Sequence, residues 1–324
     1  MVGGNGERGG KRFQNRDCHK RNKEEIVIYP KPPFLFEKGI RLVEERFDGK
    51  SVYSSAYHDG KFYLVVNRGN RIIPVVIRGV NNLLRITPLV EIVSQTEKEA
   101  IDKAVRWVLD TDSDLTLFYN SIAEDSVLVD VINRLKGLRC PSTQTLFEAF
   151  IRAFIEQQLS FNISRKIAKR LIQSFGSYLD VHNTRFYSFP GPEALRKADE
   201  RILRKCGLSR NKIAYIKNFS DLVTNGDVDL EKLWSLDRNN IWEELGRIKG
   251  IGRWTIEYVM VRGMRRYDVT PSCDLFLRRV ISHYYCNNTR ITESESRAIC
   301  DRWGKWKGLA SFYLIADYLS GGLR

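Results

Sequence analysis

Leu245-Gly246-Arg247-Ile248-Lys249-Gly250-Ile251-Gly252-Arg253-Trp254-Thr255 decides how this 324-residue chain is read. Ile241, Trp242, Leu245 and Ile248 recur at helical spacing up to the turn, and helical sequence resumes directly after Gly252. Two glycines at this spacing permit a tight hairpin between the two helices, with Ile251 plugged into the pair. The backbone N–H groups that open the second helix then point outward without partners. Such a helix start binds phosphate oxygens and needs no base sequence to do so. Lys249, Arg253, Arg262, Arg265 and Arg266 are expected to surround it with positive charge. The same glycines also serve an ordinary corner in a helical bundle; the apolar pattern and the flanking cations favour a nucleic-acid backbone.

About twenty residues on, Asp268-Val-Thr-Pro271-Ser-Cys-Asp274-Leu-Phe-Leu-Arg278-Arg279 opens another helix after a proline break. Leu275, Leu277 and Ile281 are expected to face inward. Asp274 stands at the helix N-terminus, where the dipole favours its negative charge. Taken alone it reads as a helix cap.

Upstream, Thr145–Leu159 carries the apolar stripe Leu146, Phe147, Phe150, Phe154 and Ile155. Asn162–Phe175 is amphipathic, with a basic face of Arg165, Lys166, Lys169 and Arg170 and a stop at Gly176. Short helices are expected near 192–198 and 199–205, and a longer one from Ser209 to about Thr224. Residues 26–90 read differently: Phe62–Val66 and Ile72–Ile77 are β-branched and aromatic runs split by Asn67-Arg68-Gly69-Asn70, with turns at Asp48-Gly49 and Asp59-Gly60. Pro74 argues for an edge position of the second run. Glu97–Leu109 then returns to helical spacing, and from there the sequence reads as almost wholly helical. Residues 1–25, Gly-rich and nearly free of aliphatics, read as a disordered basic tail.

The 53 Lys and Arg exceed 39 Asp and Glu, a net charge of +14, of which about +3 falls in 1–136 and about +11 in 137–324. That asymmetry invites a polyanion partner for the C-terminal part, with a solvated basic surface as the alternative. No apolar run reaches the roughly 18–20 residues needed to span a bilayer, and the start is not read as a secretory signal peptide, so an intracellular location is expected. Six scattered cysteines without CxxC spacing exclude an iron–sulfur cluster or a thiolate zinc site as the expectation. The four histidines are too far apart to suggest a metal.

Taken together, Gly250-Ile251-Gly252-Arg253-Trp254-Thr255, Asp268-Val269 and Asp274 ahead of a basic helix resemble the helix-hairpin-helix superfamily of DNA base-excision glycosylases. Gly137–Glu148, Ile155–Ser160, Phe189–Leu195, Cys206–Lys212 and Trp303-Gly-Lys-Trp306 are similar to its 3-methyladenine DNA glycosylase II branch, and the likeness runs in order over about 30–324. The resemblance implies an α+β chain: a small β-rich N-terminal domain (26–112) and a two-lobed all-α body. One lobe would be 113–140 plus 267–324, the other 141–266 with the helix-hairpin-helix.

It also implies a monomeric enzyme that releases a damaged base flipped out of duplex DNA. Asp274 matches the essential aspartate. Trp254 stands where superfamily members that also nick DNA carry a lysine, so a monofunctional glycosylase acting on alkylated purines is expected. Trp254, Tyr258, Trp306 and Phe312 would wall the base pocket, with Ile315 where many relatives have a further tryptophan. Lys249, Gly250, Ile251, Gly252, Arg253 and Thr255 would grip the backbone, and Gln157, Gln158 and Leu159 would fill the gap left by the flipped nucleotide. Carbonyls of Gly246, Ile248 and Ile251 would hold a monovalent cation; no other cofactor is implied. The alternatives are a relative excising deaminated or oxidised bases (hypoxanthine, uracil, 8-oxoguanine) and a non-catalytic helix-hairpin-helix DNA-binding protein. The latter has no use for Asp274 or an aromatic pocket.

Overall fold

The computed structural model describes residues 25–43, 50–69, 71–92 and 94–321; all but Glu25 of the tail expected over 1–25, Cys18 and His19 with it, and the Asp48-Gly49 turn lie outside them. The N-terminal part comprises β1 (Ile26–Ile28), α1 (Phe36–Val43), β2 (Ser51–Tyr53), β3 (Ser55–His58), β4 (Lys61–Arg68), β5 (Arg71–Val80), β6 (Leu83–Pro88) and α2 (Gln95–Leu109). Asp59 and Gly60, both at positive φ, make the two-residue turn between β3 and β4, the twist-matched form that suits a hairpin. Ile101, Val105, Val108 and Leu109 of α2 bury one face against Phe62, Ile73, Val75 and Ile77 of the sheet. Fully burying such side chains stabilises by about 1.5–3 kcal/mol each.

The helical body follows: α3 (Thr116–Ser121), α4 (Ser126–Leu135), α5 (Leu146–Glu156) and α6 (Phe161–Phe175). Next come β7 (Tyr178–Val181), β8 (Thr184–Tyr187), α7 (Pro192–Arg196), α8 (Glu200–Cys206), α9 (Arg210–Asn225) and α10 (Arg238–Leu245). The chain ends with α11 (Arg253–Met264), α12 (Leu275–Tyr285), α13 (Glu293–Asp301) and α14 (Lys307–Leu319). Side chains cap most of these starts: Thr145 accepts Glu148 N–H ahead of α5, Ser209 accepts Lys212 N–H ahead of α9. The sheet and α2 share one core, and the helices from α3 onward share another, centred on Phe150, Phe154, Phe219 and Tyr313.

Two expectations are corrected here. The stretch after 110 is not wholly helical, because Tyr178–Val181 and Thr184–Tyr187 form a hairpin across His182 and Asn183, both at positive φ. β8 pairs in parallel with β2, which extends the otherwise antiparallel sheet to the order β1-β6-β5-β4-β3-β2-β8-β7. Nor is β5 an edge strand, although it contains Pro74: it lies between β4 and β6. Val65, opposite Pro74, sends its N–H to Ser54 on the other side, so this pair exchanges no ladder bonds with β4. The imide nitrogen of Pro74 therefore faces the β6 side, where the strand has already ended at Pro88 and only Leu89 N–H reaches the Pro74 carbonyl. A missing donor is tolerated there without loss of a strand-to-strand bond.

Candidate active site

A cleft of about 1510 Å³ opens among α5, α6, α11, α12 and α14, with Tyr53 and Ser54 of the sheet at its margin. Asp274, Trp254, Tyr258, Phe312 and Ile315 all line it. Asp274 is the N-cap of α12, and its Oδ1 accepts the N–H groups of Phe276 and Leu277 at 2.8 and 2.9 Å. Its Oδ2 accepts the indole N–H of Trp254 at 2.9 Å. Three donors thus fix a half-buried carboxylate at the cleft wall. Next to it, the Cys273 thiol is pushed up to about 11 by burial and the nearby Glu257 and Glu293 charges, and stays protonated at neutral pH.

Trp254 and Tyr258, one turn apart on α11, stack with centroids 5.1 Å apart and planes 28° from parallel. The Tyr258 hydroxyl donates to Glu156 Oε1 at 2.9 Å. Burial, then the Glu156 charge, push the phenol well above its ordinary range. Trp306 is not brought to the cleft: it ends a 3₁₀ turn ahead of α14 and packs on Phe118, 5.8 Å between centroids. Leu275 also departs from expectation, being 75% exposed while Leu277 and Ile281 are buried. Two residues amount to about 200° around a helix, so Leu275 faces the cleft when Leu277 faces the core.

The hairpin lines the same cleft, just ahead of Trp254. Ile251 is buried between α10 and α11, and its N–H donates to the Ile248 carbonyl at 3.0 Å. Gly250 has φ +94°, and a Cβ there would lie 2.4 Å from the Tyr215 ring. Gly252 has open space around it, and no side chain caps the first-turn N–H groups of α11. Lys249 is exposed beside them. Arg253 is exposed too but leans on Glu257 and Glu293 at 3.7 and 3.8 Å.

The ring of cations expected at the hairpin is smaller than its sequence suggests. Arg262 reaches the Cys140 sulfur, Arg265 pairs with Asp110 at 3.1 Å, and Arg266 donates to the Leu236 carbonyl. They sit at the far end of α11, 12 residues or about 18 Å long. Thr255 is likewise turned inward, its hydroxyl accepting Gln157 Nε2 at 3.0 Å.

Gln157 clamps the hairpin rather than projecting, since Nε2 also donates to the Gly250 carbonyl at 2.9 Å. Gln158, with φ +58°, and Leu159 are the exposed tip of this turn. Lys212 of α9 fixes the turn from behind by donating to the Ile155 and Gln157 carbonyls at 2.6 and 2.7 Å; burial lowers its ammonium to about 8. Neither Lys212 nor Glu156 was expected from the sequence. The spacing of Glu156 immediately before the Gln-Gln turn was the available signal. As to a cation, no cluster of three or more His, Cys, Asp or Glu side chains exists among the described residues. The uncharged carbonyls of Gly246, Ile248 and Ile251 are donors suited to a monovalent ion, and the Ile248 oxygen retains a lone pair beyond its bond from Ile251.

Residues 151–305 match the family described as HhH-GPD superfamily base excision DNA repair protein. The chain carries an HhH-GPD superfamily domain. It is 28% identical over 222 residues to the DNA-3-methyladenine glycosylase of Bacillus subtilis, an alignment covering 68% of this chain and 73% of that one. A solved 3-methyladenine DNA-glycosylase from Archaeoglobus fulgidus superposes with a TM-score of 0.78 at 25% identity, covering 91% of this chain and 98% of that one. The Clostridium acetobutylicum 8-oxoguanine glycosylase/lyase, at 18% identity and a TM-score of 0.72 over 93% of this chain and 98% of that one, shares the fold. That superfamily is one of base excision DNA repair, and the relatives that align over most of their length are named DNA glycosylases. This chain's domain includes the hairpin, the Gln157–Leu159 turn, Trp254, Tyr258 and Asp274. Among the described residues no helix is long and apolar enough to cross a membrane.

Proposed function

We propose that this chain is a monofunctional DNA glycosylase that releases alkylated purines flipped from duplex DNA, leaving an abasic site. The observation that carries the proposal is the Trp254 indole N–H on Asp274 Oδ2, at the place where a lyase would need an amine. An indole forms no Schiff base with the sugar. In the hydrolysis, the C1′–N bond breaks with its electron pair leaving on the base. An N-alkylated purine is cationic, so it departs neutral and requires no acid. The sugar becomes oxocarbenium-like, and the Asp274 carboxylate beside it stabilises the charge. Water then adds its oxygen to C1′ and gives up a proton, for which Asp274 is the nearby base.

The stacked Trp254–Tyr258 pair, with Phe312 and Ile315 opposite on α14, supports a base pocket. An aromatic face attracts a cationic ring by about 0.5–2 kcal/mol. The hairpin N–H groups and Lys249 would take phosphate oxygens, and a monovalent cation on the Gly246, Ile248 and Ile251 carbonyls would add positive charge there. Gln158 and Leu159 would enter the vacated stack. The test is incubation with duplexes carrying alkylpurines, hypoxanthine, uracil or 8-oxoguanine, with chromatography of the released base. Fastest release of the alkylpurine is expected; exclusive release of 8-oxoguanine or uracil refutes the assignment.

A further inference from the structure

Glu156 ends α5 immediately before the Gln157–Leu159 turn and lines the same cleft as Asp274. The two carboxylates hold opposite ends of one aromatic stack: Trp254 donates to Asp274, and its partner Tyr258 donates to Glu156. A ring lying against that stack has the reacting sugar near Asp274 and its far edge toward Glu156. Tyr258 supplies the bond that Glu156 receives on Oε1. Glu156 is part-buried in the cleft lining, and no described hydrogen bond engages its Oε2. The helix-end position explains nothing about this side chain, because an acidic group at a helix C-terminus is disfavoured by the dipole.

We infer that Glu156 is a specificity-determining residue, which accepts an N–H from the exocyclic amino group of the flipped purine and disfavours a purine with a carbonyl oxygen at that edge. The inference rests on the cleft being the base pocket. An ionised carboxylate is acceptor-only. Against an amino group it completes a charge-assisted bond; against an oxo group, two acceptors face each other out of water. Sites built to accept a substrate N–H reject analogues that lack it far more strongly than apolar pockets reject a change of size. Burial raises the proton affinity of Glu156, and the Tyr258 bond and the charges of Arg262, Arg152 and Arg165 offset that only in part; the Lys212 ammonium is a further neighbouring cation. Arg152 is itself paired with Glu148 at 2.8 Å. Arg165 lies over the Phe161 ring and Arg262 reaches the Cys140 sulfur, so these guanidiniums have other partners as well.

The test uses free 3-methyladenine and 3-methylhypoxanthine, which differ by amino against oxo at C6, titrated by quenching of tryptophan fluorescence. The wild-type chain should bind 3-methyladenine at least tenfold more tightly. Glu156→Gln keeps the shape and can turn its amide N–H to the oxo group, so the ratio should fall to within about threefold. Glu156→Asp should retain part of the preference, and thermal melts of both variants should stay near wild type. A ratio unchanged in a folded Glu156→Gln variant, or no preference in the wild type, overturns the inference. Parallel release assays on alkylated-adenine and hypoxanthine duplexes separate the two claims. A wild-type free-base preference that Glu156→Gln abolishes, in a protein that releases neither base from DNA, would remove the proposed reaction and leave the role of Glu156 standing.

Discussion

Asp274→Asn removes the charge from the cleft while changing almost no atoms, and both of its consequences follow from the three bonds on the carboxylate. A unit negative charge about 4 Å from a developing positive sugar, at an effective dielectric near 20, contributes about 4 kcal/mol. That is about a thousandfold in rate. The second consequence concerns stability. Oδ1 must continue to accept the Phe276 and Leu277 N–H groups, which leaves the new amide nitrogen 2.9 Å from the Trp254 indole N–H. Donor then faces donor in a half-buried site, at a cost of about 1–3 kcal/mol, or roughly 1.5–4.5 °C in melting temperature for a chain of this size. Single-turnover base release at saturating enzyme measures the first effect and differential scanning fluorimetry the second, with a gel-shift assay to show that DNA still binds. Base release within tenfold of wild type would refute the catalytic role of the charge. An unchanged melting temperature would show that the indole bond to Oδ2 is not made.

Borohydride added during turnover should trap no covalent protein–DNA adduct, since Trp254 supplies no amine; an adduct seen by denaturing gel would make the enzyme a lyase. Gly250→Ala should lower both duplex affinity and stability, because its Cβ meets the Tyr215 ring and its φ of +94° disfavours any side chain; a titration and a melt check it. Lys212 offers a pH signature. Its folded-state ammonium lies near 8 against 10.5 in the unfolded chain, so between those values the unfolded state holds more protons and stability rises with pH. Urea midpoints at pH 7.5, 8.5 and 9.5 should show that rise, and Lys212→Met should remove it. Affinity for undamaged duplex should fall steeply with salt in proportion to the phosphates neutralised; a flat response would speak against the hairpin as the DNA grip.

What the sequence made legible was local. The hairpin, the cap at Asp274 and the helices after Thr145 and Ser209 depend on residues within a few positions of one another, and spacing reveals them. Tyr178–Tyr187 had its own local signal, alternation across a His-Asn turn, but its pairing with β2 joins residues more than a hundred positions apart. Pro74 misled because the rule on proline in strands concerns bonds, and β6 stops before it would have needed one. The charges misled for a related reason: composition counts Arg262, Arg265 and Arg266 as surface cations, whereas Cys140, Asp110 and the Leu236 carbonyl hold them. Glu156 escaped notice because its meaning comes from Tyr258, a residue of another helix.

The parallel contact of β2 with β8 also governs the order in which the protein can be finished during synthesis. Strands β1 to β6 are complete by Pro88, yet β2 waits for Thr184–Tyr187. At about 5–20 residues per second the ribosome needs roughly 5–20 s to deliver them. Throughout that interval the nascent sheet carries an open edge at Ser51–Tyr53, which an incoming strand of another chain could occupy. The edge is only three residues long, and its brevity limits that hazard until β8 closes it.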